Sequence, residues 1–444
     1  MHDGRHHVPW LAALIVISSL LMPPYVRAQQ TQPFAAEIER GIAAVMPKVV
    51  QWRRDVHANP ELSHQEERTA GVVAEHLRGL GMEVRTGVGG HGVVGVLKGG
   101  KPGRVVALRA DMDALPVTEE VDLPFRSRKT TVVNGQTVGV MHACGHDTHV
   151  AMLMGAAEVL ALIRTQLPGT IKFIFQPAEE NAVGNRPTGA KLMIDDGVLE
   201  NPSPTAIFGL HVFSKYATGT IISRPEGLMA SSDALRIIVR GRQTHGAMPW
   251  DGIDPIVVAS QIMLGLQTVV SRQTELTRTP AIVTIGTFNA GVARNIIPDS
   301  VIMTGTIRAF DARQQLIIHE RVKRTAEQIA ASAGATATVS IERGNPVTTN
   351  DPALLERMRP TLRRVAATTP AGRDSIGDPT TTAEDFSLYQ QKIPGLFIFI
   401  GVTPRTVDPK NAPPNHSPRF FADEEALPVG VRLLANLAVD YLRN

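Results

Sequence analysis

The chain has 444 residues, 43% hydrophobic and 20% charged, with a formal net charge of +3. That length points to two domains, and that balance to a globular protein with a sizeable core. No Lys/Arg block and no interleaving of basic and aromatic residues accompanies the slight positive charge, which argues against a nucleic-acid partner.

At the start of the chain, Arg5, His6 and His7 precede an apolar run from Trp10 to Met22 that is short for a bilayer span. Val26 and Ala28 supply the small residues of a cleavage site. The pattern predicts a signal peptide over 1–28, cleaved near Ala28, and an exported protein, periplasmic or secreted. An anchor that is kept is the alternative. Apolar residues at Ile38, Ile42, Val45, Val49 and Trp52 then predict an amphipathic helix, and a second helix follows from about Gln65 to Leu80, ended by Gly81. Strands are predicted at Gly92–Leu97 and Val105–Leu108, a helix from Asp147 to Arg164, and strands at Thr170–Phe175 and Ala206–Leu210. Strands alternating with helices predict an α/β sheet.

The pattern changes near residue 225. Asp233–Val239, Ala281–Phe288, Val301–Ile307 and Thr336–Ile341 read as strands, with helices at Pro255–Ser271 and Gln314–Ser332. That β-α-β-β-α-β order is the ferredoxin-like split arrangement. Helix Pro352–Val365, strand Leu396–Ile400 and a terminal helix Asp423–Leu442 complete the chain. The predicted organisation is a first catalytic segment over 29–224, an inserted α+β domain over 225–342, and a second catalytic segment over 343–444.

Chemistry-bearing residues gather in short clusters. Met141–His149 packs three His, one Cys and one Asp into nine residues. Cys144 is the chain's one cysteine, so it cannot form an internal disulfide. Buried filler, a reactive thiol and a metal ligand stay open for it. Glu179 and Glu180 follow a predicted strand, where α/β proteins place their sites. One such carboxylate can hold a cation while the other takes a proton. His211 ends another strand, His416 sits in a Pro-rich turn, and Asp111 and Asp113 follow Val105–Leu108. Each alone has a plainer reading as a cap, a loop acid or a core histidine. Together they place metal-ligand residue types after four separate strand or loop ends.

These segments resemble the metal-dependent amidohydrolases that include hippurate hydrolases, N-acyl-amino-acid aminoacylases, some bacterial carboxypeptidases and plant auxin-conjugate hydrolases. The matching pieces are HANPELS at 57–63, RADMDALP at 109–116, MHACGHDTH at 141–149, QPAEE at 176–180, GLH at 209–211, NIIPD at 295–299, EDFS at 384–387 and NHSPRF at 415–420. They run in order through nearly the whole mature chain. The resemblance implies a mixed-sheet catalytic domain with a metal site at strand ends, plus an inserted ferredoxin-like lid or dimerisation domain. It implies that Cys144, His146, Glu180, His211 and His416 bind two divalent ions, and that sulfur, nitrogen and carboxylate donors suit Zn, Mn, Co or Ni. Glu179 would be the general base, and Asp113 would orient a ligand histidine. Asp111 stands where more distant relatives carry a His ligand and is left out of the set.

In the insert, His245 would stabilise the oxyanion, often in a partner subunit's site, and Asn295 and Arg308 would contact the substrate's carboxylate or backbone. The expected reaction is hydrolysis of the amide of N-acyl amino acids or small dipeptides, by a homodimer or higher homo-oligomer joined through the insert. A catalytically silent metal-binding protein on the same fold and a Cys144 thiol hydrolase remain as alternatives. Departures from the family pattern fall at Asn181–Pro187, which is longer and more polar, at Trp250, and at Thr381 and Thr382. They bear on substrate preference.

Overall fold

The computed structural model describes residues 34–180, 186–369, 371–372 and 374–443. The segment read as a signal peptide lies outside them, as do residues 181–185 of the polar stretch after the paired glutamates. No helix among the described residues is long and apolar enough to cross a membrane.

The body is an eight-stranded mixed sheet. Its order is Glu83–Val88, Gly92–Lys98, Pro168–Gln176, Lys101–Asp111, Ala206–Ala217, Gly395–Thr403, Ile221–Ser223 and Asp374–Ile376. The central four strands run parallel. Helices Ala35–Ala58, His146–Leu162 and Leu427–Arg443 pack on one face around the largest core, with Val106, Leu108, Phe173 and Phe208 beneath them. A smaller core on the other face holds Ile174, Ile207, Phe386 and Phe397. Burial on both faces explains why these strands read as continuous apolar runs rather than alternating ones.

The insert has its own core. Strands Asp233–Arg240, Ala281–Ala290, Ser300–Ala309 and Thr336–Arg343 pair antiparallel, with the second at one edge, then the third, the first and the fourth. Helices Pro255–Ser271 and Ala312–Ser332 cover one face through Val258, Ile262, Leu266, Ile318 and Val322. This is the arrangement expected from the β-α-β-β-α-β order. Asp254 caps the first helix by accepting from the Ile256 and Val257 amides, and Pro255 opens it. The two connecting segments run side by side, Glu226–Met229 paired with Thr348–Asn350, and Leu228 and Met229 lie in the body's core. The structural change of domain therefore falls a few residues past 225.

Two further differences have simple causes. The strand expected to stop at Leu210 continues to Ala217, because its register with Gly395–Thr403 persists along that length. The terminal helix starts at Leu427 rather than Asp423, whose carboxylate caps a short 3-10 turn, with Pro428 then in the helix's first turn.

Candidate metal centre

Six sequence-predicted residues converge at one end of the body sheet. Cys144 and His146 flank Gly145, which lies at φ 89° in front of the helix His146–Leu162. A Cβ there would stand 2.4 Å from Val212 Cγ2, so glycine alone lets this turn press on the strand bearing His211. Glu179 and Glu180 follow Pro168–Gln176 through Ala178, a non-glycine residue at φ 51°. Close approach of Gly189 to the Pro177 carbonyl packs that turn; an added Cβ would lie 1.6 Å from the oxygen. His416 also has positive φ, 70°, and its amide donates to Ala143 O at 2.8 Å. Left-handed backbone at two contributing segments is strain of the kind held at functional sites.

Cys144 Sγ lies 3.3 Å from His211 Nε2 and 3.3 Å from His416 Nε2, and His416 Nε2 is 2.9 Å from Glu180 Oε1. Three donor triads, Cys144/His146/His211, Cys144/Glu180/His416 and His146/Glu179/Glu180, each have their donor atoms within 4.8 Å of one another. Cys144 is common to the first two and His146 to the first and third.

The imidazoles are aimed by their other nitrogens. His146 Nδ1 is 2.9 Å from the Asp113 carbonyl and 3.3 Å from its carboxylate, and His211 Nδ1 donates to Val212 O at 2.8 Å. Nε2 of His146 is left buried with no hydrogen-bond partner among the described residues, and His211 Nε2 points to the thiol. An orphaned buried nitrogen facing sulfur and carboxylates is costly unless a cation takes it, so the donor set fits metal ions. Asp113 is itself fixed by Ser63 Oγ at 2.6 Å and the Glu180 amide at 3.0 Å. Asp111 is engaged elsewhere, its oxygens bonded to His149 Nδ1 and Arg109, both at 2.5 Å.

Burial pushes the Cys144 thiol well above its usual range, with Glu180 and Glu179 adding to it. Burial also raises Glu179 well above the ordinary carboxylate range, helped by Glu384 and Glu180. His211 is held far below its usual value by burial and by His149 beside it. For His146 burial acts downward, but Asp111 and Asp113 outweigh it and carry the group up to about 10. Cations seated among these groups would act in the opposite sense on the thiol and the acids.

Above the cluster opens a cavity of about 710 Å³, lined at its floor by Cys144, Glu179, Glu180, His211, Glu384 and His416 and higher up by Phe213, Met229 and Thr382. None of the expected insert residues lines it. His245 and Asn295 lie together on the insert's surface, where the Gly246 amide donates to Asn295 O at 2.8 Å. The His245 ring accepts from the Ala247 amide at 3.1 Å, and the following helix is capped by Asp254 instead. Arg308 is half-buried on Ser300–Ala309, where burial lowers its pKa against the pull of Asp233.

Sequence reasoning passed over two buried networks behind the cluster. Arg109 binds Gln176, Asp111, Glu384 and Asp385. His57 spans Asp147 at 2.9 Å and Glu119 at 3.1 Å, with Arg53 also on Asp147 at 2.9 Å. Their signal was charged residues inside otherwise apolar segments, as Arg109 ends the run Val105–Leu108.

A model of peptidase family M20/M25/M40 matches residues 107–440. The chain belongs to that family. This M20 chain is 39% identical over 408 residues to thermostable carboxypeptidase 2 of Saccharolobus solfataricus, covering 91% of this chain and 98% of that one. It is 38% identical to the N-acetylcysteine deacetylase of Bacillus subtilis, with 88% and 96% covered. A solved dinuclear metal-binding peptidase of family M20 from Bacillus subtilis superposes with a TM-score of 0.75 at 36% identity, covering 90% of this chain and 99% of that one. The chain is therefore a hydrolase of the amidohydrolase and peptidase kind, on the mixed α/β fold that its sequence predicts.

Proposed function

We propose that this M20 hydrolase cleaves the amide bond between an acyl group and an amino acid, in N-acyl amino acids or small dipeptides. The observation that carries the reading is Glu179, a buried base beside a complete set of ligand-type residues at the floor of a cavity sized for a small molecule. Two divalent ions, Zn, Mn, Co or Ni by donor chemistry, held by Cys144, His146, Glu180, His211 and His416, would supply Lewis acidity toward the scissile carbonyl and an acidified water.

Glu179, buried beside the ligand Glu180, would act as the base that takes a proton from the attacking water and as the acid that returns it to the departing nitrogen. Asp113 holds His146 in one tautomer and orientation. His245 completes the site from a second subunit by donating to the developing oxyanion, with Asn295 and Arg308 near the substrate's carboxylate. Support for a dimer is the insert's surface, where Trp250 is 75%, Leu264 67% and Val292 100% exposed. Export after cleavage near Ala28 follows from the leader-like start of the sequence.

The test is turnover by purified, metal-reconstituted protein on a panel of N-acyl amino acids, amino-acid conjugates and dipeptides. Hydrolysis that a chelator abolishes and added metal restores is expected. Full metal occupancy without turnover on any member would leave a silent binding protein, and chelator-resistant activity would point to the Cys144 thiol.

A further inference from the structure

The cavity has two chemically different ends. Its floor is acidic, with Glu179, Glu180 and Glu384. Its outer wall comes from the end of the strand Ala206–Ala217, through Phe213 and Lys215, and from the turn that holds Lys410. Asn415 ties these segments together, accepting from the Ser214 amide at 3.1 Å and donating to Val212 O at 3.0 Å. Among the described residues, Lys215 and Lys410 are the lysines or arginines that line the cavity.

Both ammonium groups lack an acidic partner among the described residues, and both side chains are exposed. Some exposed lysines are paired, Lys48 with Glu158, Lys98 with Glu83 and Lys191 with Asp195, while Lys101, Lys129 and Lys392 are unpaired among the described residues but do not line the cavity. The Lys215 ammonium rests 6.0 Å from the Tyr216 ring centre. Two cations without an acidic partner therefore line the same cavity as the metal-ligand cluster. A substrate carboxylate entering the cavity is attracted by the two ammonium groups in its lining. Arg308 and Asn295, expected to meet that carboxylate, do not line this cavity.

We propose that Lys215 and Lys410 form a carboxylate-recognising wall, which orients anionic substrates with their uncharged amide toward the Cys144–His416 end. The inference rests on the hydrolase reading above. Ammonium groups on flexible stems act as point charges rather than as fixed forks, so the wall reads charge more than shape. The carboxylate has two sources, the α-carboxylate of the amino acid or a second carboxylate on the acyl arm.

One experiment separates them. The metal-loaded enzyme and its Lys215→Met, Lys410→Met and double variants are assayed on three substrates of one amino acid, N-butanoyl, N-succinyl, and the N-butanoyl amino acid amide. Binding of the same compounds to metal-loaded Glu179→Gln protein, with and without both lysine changes, is read by calorimetry, so a chain that hydrolyses none of them still reports on the wall. The double variant is expected to lose about ten-fold of the wild-type preference for one carboxylate over its neutral counterpart, in kcat/KM and in Kd alike. Loss of the acid-over-amide preference assigns the α-carboxylate, and loss of the succinyl-over-butanoyl preference assigns the acyl arm. Unchanged preferences in the double variant, in binding and in turnover, overturn the proposal. Charge-selective binding that the lysine changes abolish, without turnover by the wild type, would keep the wall and sink the hydrolysis of these substrates.

Discussion

In the body, strand Gly395–Thr403 is buried at every position, whereas in the insert strand Asp233–Arg240 alternates buried and less buried residues. The first is covered by helices on both sides, the second on one side only. A sheet enclosed on both faces leaves its polar groups no water, so each must find a partner inside or wait for a ligand. An insert with one open face keeps its polar groups solvated and exposes apolar ones instead: Met248, Trp250, Val257, Leu264, Val292 and Ile296 all lie on it. Burial thus marks the body's candidate site, and exposure marks the insert surface proposed for a partner subunit.

The largest expected effect is at the body's base. Glu179→Gln should retain bound metal yet lose roughly 10²–10⁴ in kcat, the range for removal of a general base. Metal analysis beside steady-state kinetics checks it, and near-normal kcat would remove Glu179 from the mechanism.

Next in size is the pairing of buried charge. His57 lies between two buried carboxylates, Asp147 and Glu119, so His57→Ala would leave both short of a partner. A loss of about 3–5 kcal/mol in urea unfolding is expected. A loss below about 1 kcal/mol would mean that Arg53 alone compensates Asp147 and that the body tolerates unpaired charge better than argued.

The insert should respond the other way. Val257 and Leu264 lie seven residues apart on the outward side of Pro255–Ser271. Replacing both by Ser should shift chain stability by only about 0.5 kcal/mol, the usual scale for surface changes, while dissociating a dimer in sedimentation. Dimers that persist would free this helix face from the interface. His245→Ala mixed with Glu179→Gln sharpens the same point, since recovered activity after subunit exchange would show that one site draws on two chains.

How much was legible in the sequence follows the same divide. The helix Pro255–Ser271 has the bounds predicted for it because Asp254 and Pro255 give a physical start signal and one face is open to solvent. The edge strand Glu83–Val88 was not predicted, since its mostly exposed residues carry no period to read. Cys144 and His146 stood out by density and Glu179 and Glu180 by adjacency. His416 gained its weight from the family resemblance, and the structure then places it 3.3 Å from a thiol 272 residues away. Lys215 and Lys410 gave no pattern at all, because a lone lysine becomes informative only when its neighbours, and its lack of a counter-charge, are known.

The last test concerns the cost of buried acids in the body. Glu66 is fully buried, and its carboxyl is pushed up to about 8, by burial first and by the nearby Asp113 second. One oxygen accepts from the His64 amide at 3.0 Å and the Ala178 amide at 2.8 Å, so the residue also fixes the turn that presents Glu179. Its other oxygen has no hydrogen-bond partner among the described residues. With the folded value raised above the ordinary one near 4.5, the folded chain holds a proton that the unfolded chain has lost across that interval. The contribution to stability is therefore full below about 4.5 and disappears as pH rises through about 8. Urea midpoints of chelator-treated protein should fall between pH 5 and pH 9, in a range chosen to bracket the raised value. Glu66→Gln keeps a carbonyl for the two amides and removes the titration, so its midpoints should fall less steeply. Some slope should remain, because Glu384 is likewise raised to about 8 by burial. An identical slope in wild type and variant would show that Glu66 pays no ionisation cost inside the body.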